Sequence, residues 1–275
     1  MITLTQEFIL NDPVVSAGSG LVLHEGTFYI ISDDELGMVS QPLDFSRRGA
    51  FHQVFPGRLP EETEERKRLK PDLECLLVTG NDLLLIPSGS KPNRIKGALV
   101  SLSDFSVTPL SFGKVFQELE KYCPELNIEG AVVLDKTIRL FQRGNGKLHQ
   151  NAIIDLPLPS FLKDEVKDIS VLNIDLGTIC DTPLSFTDAT INNDEIIFIA
   201  VAEKSESTYL DGDYVGSVIG KMSFDGKVLL KKALKIDSKP EGIAIKGNTF
   251  YVVTDDDQRD KPSRIFSGNF QQLTL

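Results

Sequence analysis

Glu74, Glu129, Asp188 and Glu241 each follow a turn and open a short apolar run, and they recur at nearly constant intervals. With Ser19 at the matching place, the five are separated by 55, 55, 59 and 53 residues. A further 53 lead from Glu241 through the C-terminus back to Ser19. Carboxylates gathered this way can hold a hard cation such as calcium through oxygen ligands, or exchange protons with a substrate. Four of them around one opening repel one another. Protonation, neighbouring cations or a bound metal must offset that repulsion. A purely architectural role is open beside these, in which the acids accept hydrogen bonds from the next strand and hold the assembly together.

The segments around the five positions repeat one pattern: a turn, a polar residue, an apolar strand led by a small residue, a tight turn, and a second strand with a polar end. Ser19-Gly20-Leu21-Val22-Leu23 leads to Ile30-Ile31-Ser32-Asp33-Asp34, and Lys239-Pro240-Glu241-Gly242-Ile243 leads to Val252-Val253-Thr254-Asp255-Asp256. A period of this size built from short strands predicts an all-β fold, a five-bladed β-propeller of four-stranded blades. The expected blades span about residues 19–58, 72–112, 127–177, 186–237 and 239–275, within a single domain over 1–275. The fifth repeat runs out after its third strand, and Ile2 to Leu10 is available to complete it and leave no free edge. A six-bladed ring with one degenerate blade is the competing count.

In such a ring the first strand of each blade starts at the rim where the second strand ends. The acids therefore share an opening with Asp33, Asp34, Ser88, Arg143, Asn145, Glu203, Lys204 and Asp255 to Asp257. The loops Lys91-Pro92-Asn93-Arg94 and Lys261-Pro262-Ser263-Arg264 echo one another and bring basic residues to the same side. The expected site accordingly has Glu74, Glu129, Asp188 and Glu241 on a metal. Glu129 and Arg143 take part in the chemistry, and Lys91, Arg94, Arg143, Asp33, Asp255 and Arg264 face the substrate. Two helices are predicted, Pro60 to Leu69 and Gly113 to Tyr122, the first read either as a solvated surface helix or as a lid over the mouth. Asp211-Gly212-Asp213 reads as a turn, with a cation loop as the alternative.

The chain carries 29 basic and 40 acidic side chains, a net charge of −11. That balance disfavours nucleic acid and anionic membranes as partners and leaves a small molecule as the expected ligand. Apolar runs are strand-sized, so no membrane span is expected. Three cysteines argue against a disulfide framework, with Cys123 and Cys180 read as free thiols. The N-terminus has no basic region followed by a long apolar stretch, which points to the cytoplasm, or to the periplasm had a leader been removed. Histidines 24, 52 and 149 share no spacing. No nucleophile elbow, Walker loop or HExxH motif is present.

The repeated Glu-Gly step of Asn127-Ile128-Glu129-Gly130 and Lys239-Pro240-Glu241-Gly242, with the variant Asp72-Leu73-Glu74-Cys75, resembles the bacterial phytase-like propellers with "esterase-like activity of phytase". It is more distantly similar to gluconolactonase and SdiA-regulated propellers. The resemblance implies Ca²⁺ and a phosphoester, ester or lactone at the channel mouth, with Glu74, Glu129, Asp188 and Glu241 in the matching positions. Ser19 stands where an acid would be expected. Two functions are thus in view: a Ca²⁺-assisted hydrolase, and a non-catalytic ligand-binding or protein-interaction propeller with a structural acidic ring.

Overall fold

Apolar runs of five to eight residues, β-branched in part and broken by Gly- and Asp-containing turns, have the length and composition of strands. The computed structural model describes residues 1–11, 15–204, 212–256, 258 and 260–273. In it these runs form five antiparallel blades around one axis, a five-bladed β-propeller. Blade 1 is Gly18–His24, Thr27–Ser32, Gly37–Pro42 and Ala50–Gln53. Blade 2 is Leu73–Thr79, Asp82–Pro87, Lys96–Ser101 and Val107–Ser111. Blade 3 is Ile128–Leu134, Thr137–Gln142, Ala152–Pro157 and Ser170–Asn173. Blade 4 is Thr182–Asn192, Glu195–Lys204, Asp213–Met222 and Val228–Lys235, and blade 5 opens with Lys239–Lys246, Thr249–Asp255 and Arg264–Asn269.

The first strand of each blade packs on the first strand of the next, and that of blade 5 on that of blade 1, so the ring is closed. The apolar core is divided accordingly, one cluster to each junction between blades. Phe141, Phe186 and Phe198 meet edge to face between blades 3 and 4, with ring centroids 5.2 and 5.4 Å apart.

The N-terminal segment does more than complete blade 5. Thr5–Ile9 pairs antiparallel with Arg264–Asn269, as the missing outer strand must, while Ile2–Thr3 pairs parallel with Leu234 and Lys235 of blade 4. The expected single strand Ile2 to Leu10 is therefore two short strands on two blades. Of the helices, α1 (Thr63–Leu69) and α2 (Gly113–Leu119) fall within the expected segments, and a one-turn α3 (Leu158–Leu162) is additional. Glu62 caps α1 by accepting from the Glu64 and Glu65 amides. Val115, Phe116 and Leu119 of α2 are buried at the junction of blades 2 and 3.

Close approach at the axis dictates small residues there. A Cβ built on Gly242 would lie 2.7 Å from the Leu21 amide nitrogen and 2.9 Å from the Gly20 carbonyl carbon, both backbone atoms of blade 1. Gly242→Ala is expected to cost about 1–3 kcal/mol, the usual range for overpacking against atoms that cannot turn aside. A urea titration compared with the parent chain measures it.

Candidate functional site

Every first strand carries a β-bulge at the same place. The register shifts between Gly18 and Gly20, Leu73 and Cys75, Ile128 and Gly130, Phe186 and Asp188, and Pro240 and Gly242. The inserted residues are Ser19, Glu74, Glu129, Thr187 and Glu241. A bulge re-aims its side chain and twists the strand; Ser19, Glu74, Glu129 and Glu241 reach the cavity, and in blades 1, 3 and 5 the glycine that follows meets the neighbouring strand. The Glu-Gly step thus has two physical halves, a side chain delivered to the channel and a Cβ omitted for packing.

Blade 4 corrects the sequence expectation by one residue. Thr187, not Asp188, holds the bulge position, and its hydroxyl donates to the Pro240 carbonyl at 2.8 Å. Ser19 does the same towards Leu73 at 2.6 Å. Asp188 instead accepts from the Ala189 amide at 2.7 Å and the Ile243 amide at 2.8 Å, clasping blade 4 to blade 5. Both of its carboxylate oxygens serve architecture, and it does not line the cavity.

That cavity, about 200 Å³, opens at the rim where the first strands start. Its lining side chains are polar or charged, with Ala17 as the sole aliphatic one among them. Eight carboxylates face it (Asp33, Asp34, Asp72, Glu74, Glu129, Glu203, Glu241, Asp255), against the cations of Arg66, Lys67, Lys70, Arg94, Arg143 and Lys239. Arg143 is a hub. Its guanidinium reaches Glu129 at 3.2 Å, Glu241 at 3.7 Å, and Glu203 in a short contact. Lys239 Nζ joins Glu203 at 3.4 Å and Glu241 at 3.3 Å. Across the mouth, Lys70 Nζ contacts Asp33 closely, Asp72 at 3.2 Å and Asp34 at 3.5 Å. Arg94 meets Asp72 at 2.7 Å, and Ser88 donates to the same carboxylate. Helix α1 lies at this mouth. Thr63, Arg66 and Lys67 line the cavity, and Arg66 pairs with Asp34 at 3.4 Å and Glu35 at 2.9 Å.

Burial and like charge push several of these groups far from their ordinary behaviour. Burial lifts Glu129 to about 8, with Arg143 opposing and Glu241 and Asp72 adding to the rise. Glu74 is raised well above the usual carboxyl range by burial and by the charges of Glu129, Asp72 and Asp33. Burial also brings Asp33 to about 6. Asp72 goes the other way. Burial would raise it, but Lys70, Arg94 and the Ser88 hydroxyl together hold it ionised. Its backbone sits at φ 60, a region that Asp tolerates better than most residues.

Of the sequence-predicted residues, Glu74, Glu129, Glu241, Arg143, Arg94, Asp33 and Asp255 meet at this one mouth. Three do not. Asp188 is committed to amides, Lys91 is exposed on the outer side of α1 with Glu62 and Arg68, and Arg264 pairs with Asp237 at 3.1 Å and Asp256 at 3.5 Å away from the cavity. Asp211 and Asp257 lie outside the described residues. The residues that sequence reasoning left without a role are Asp72, Lys70, Arg66 and Lys239. Asp72 and Lys239 stand two positions before a bulge, as Ala17 and Asn127 do, so the same period marks them. Lys70 and Arg66 come from a connection between blades and carry no periodic signal.

A family profile, described as a family of unknown function (DUF6929), matches residues 14–269. A search of curated proteins finds no match. Among solved structures, a candidate glycoside hydrolase from Parabacteroides distasonis is similar at a TM-score of 0.53 and 11% identity, over 94% of this chain and 88% of that one. A structure from the GH130 family of mannoside phosphorylases, described as containing glycoside hydrolases that target β-1,2 mannosidic linkages in Candida mannan, gives 0.52 and 10%, over 98% and 86%. A candidate glycosidase from Bacteroides thetaiotaomicron gives 0.51 and 9%, over 93% and 87%. At these identities the likeness is one of fold.

The raised carboxyls make a signed prediction. Glu129 is held protonated in the fold at pH values where it ionises in the unfolded chain. Its stabilising proton is fully bound below about pH 4.5 and is lost as pH rises through about 8. Asp33 adds the same sign between its usual 3.8 and about 6. Stability is therefore expected to fall across pH 4.5–8, by up to about 1.4 kcal/mol per pH unit for each such group. Glu129→Gln, which cannot ionise, should flatten the upper part of that slope in urea titrations run at several pH values.

Proposed function

This chain belongs to the DUF6929 family, and for it we propose acid-assisted hydrolysis of a small, wholly polar substrate at the channel mouth. The observation that carries the reading is the contrast between two carboxyls of one cluster. Asp33, Asp72 and Glu74 offer oxygens that lie within 4.8 Å of one another. Asp72 is bound by Lys70, Arg94 and Ser88 and stays ionised. Glu74 lines the same cavity, no hydrogen bond or ion pair engages its carboxyl among the described residues, and it is pushed towards the protonated form. Environments that drive neighbouring carboxyls apart in pKa are the mark of acid and base roles.

In this reading Glu74 gives its proton to the leaving oxygen as the substrate's C–O bond breaks. Water adds to the carbon, and the proton it sheds returns to the Glu74 carboxylate, so the enzyme ends as it began. Arg143 and Glu129, expected from the sequence to react, bond to each other. Their part is to hold the far wall in place and present hydrogen-bonding atoms to the substrate. A wall with a single aliphatic side chain suits a ligand polar on every face, and a volume below the roughly 300–1,000 Å³ of pockets for larger ligands suits a small one. Glycosides head the substrate screen because three structural relatives are assigned to glycosidic chemistry. Esters and lactones follow from the sequence resemblance.

The second reading, a ligand-binding propeller without catalysis, draws on the internal pairing of Arg143, Lys239, Lys70 and Arg94 with carboxylates. One variant separates the two. Glu74→Gln keeps size and polarity but has no proton to give. Hydrolysis of the substrate found by the screen should fall about 10²- to 10⁴-fold while binding, followed by calorimetry, changes little. A variant as active as the parent chain would refute the assignment of the acid, and binding with no turnover in either chain would leave the second reading.

A further inference from the structure

The sequence resemblance implies calcium at the channel mouth, and the chemistry of the donors tests that implication. The four acids expected to hold it do not form one cage. Asp188 spends both oxygens on backbone amides, and Glu129 and Glu241 face the guanidinium of Arg143. The one group of carboxylates whose oxygens are close enough to share an ion is Asp33, Asp72 and Glu74, among the described residues. That group already has a cation in it. Lys70 Nζ touches Asp33 and Asp72, with Asp34 at 3.5 Å, so that three carboxylates surround an ammonium with three N–H donors. Arg94 adds a second positive charge at 2.7 Å from Asp72.

We infer that Lys70 is the site's built-in cation, a tethered ammonium standing where a divalent ion would otherwise bind, and that this cavity works without a divalent metal. Three further observations support the assignment. Lys70 is the C-cap residue of α1, and its backbone N–H donates to Arg66 O, which fixes the root of the side chain. Lys70 is buried at the mouth, 7% exposed as a residue, which shields its charge from bulk water. Lys70 and Arg94 both contact Asp72, at 3.2 and 2.7 Å, so a calcium ion drawn to that carboxylate would be repelled by two positive charges within a few ångströms. The inference concerns the electrostatics of the mouth and does not depend on the hydrolytic reading.

The test uses calcium chloride, and manganese as a second hard ion, on the whole chain. The parent protein should show no calcium-dependent rise in melting temperature and no binding heat. Lys70→Ala, which empties the ammonium's place, should become calcium-responsive. A rise of about 3 °C or more is expected at a calcium concentration ten times the dissociation constant. Adding Asp72→Asn to Lys70→Ala should abolish that response. Lys70→Gln keeps the packing of the stem and serves should the alanine variant not fold. Calcium binding by the parent chain that Asp72→Asn removes would overturn the inference. So would folded Lys70 variants that respond to neither ion. Should neither variant fold, calorimetry of the parent chain decides alone: binding heat lost in Asp72→Asn overturns the inference, and silence upholds it.

Discussion

Five first strands meet at one axis, and the space between them admits almost no side chain on the contacting side. That constraint orders the rest of the molecule. Gly20, Gly130 and Gly242 sit where a neighbouring strand's backbone lies about 3 Å from the place a Cβ would take. The bulge just before them sends Ser19, Glu129 and Glu241 the other way, into the channel. The channel's contents are therefore a by-product of how tightly the strands pack. In four of the five blades the residue at the bulge, Ser19, Glu74, Glu129 or Glu241, lines the mouth.

What the blades deliver is not uniform, and the differences divide the ring into two regions. Ser19 and Thr187 hold hydroxyls that donate to the next blade, so those two positions lock neighbouring blades together. Glu74, Glu129 and Glu241 carry longer side chains that remain at the cavity. Around Arg143 and Lys239, Glu129, Glu203 and Glu241 form a buried network of carboxyls and cations. Networks of this kind stabilise little relative to an apolar wall, and removing one member leaves another charge stranded. Their persistence at a cavity fits a role in shaping that cavity. The opposite region, built on Asp72 with Lys70, Arg94 and Ser88, leaves the Glu74 carboxyl without a hydrogen bond or ion pair among the described residues.

Much of this was legible from spacing alone. The near-55-residue period exposes the blade count, and the shared rim of first-strand starts and second-strand ends follows from the path of the chain. Those two facts bring Glu74, Glu129, Glu241, Arg143 and Asp33 together before any coordinates. Residue type alone does not distinguish adjacent positions across a bulge. Asp188 looks like the fourth acid of the set, yet the bulge falls on Thr187, because an inserted residue is a matter of backbone register and leaves no mark in residue type. Lys91 and Arg264 belong to an echoed loop motif, but loop direction is not periodic, and the loops carry both away from the mouth. Lys70 and Arg66 were invisible for the same reason, as they arrive on a helix inserted between blades 1 and 2.

The stitching of Ile2–Thr3 to blade 4 and Thr5–Ile9 to blade 5 has a bearing on biosynthesis. Ile2–Thr3 and Thr5–Ile9 have no strand partners until Val228–Lys235 and Arg264–Asn269 have been made. Until then the ring cannot close, and a sheet edge left open is one that other chains can pair with. Glu129 and Glu203 belong to earlier blades, but Lys239 and Glu241 arrive only with the final blade. The charge network at the mouth thus comes into being in the same event that shuts the circle.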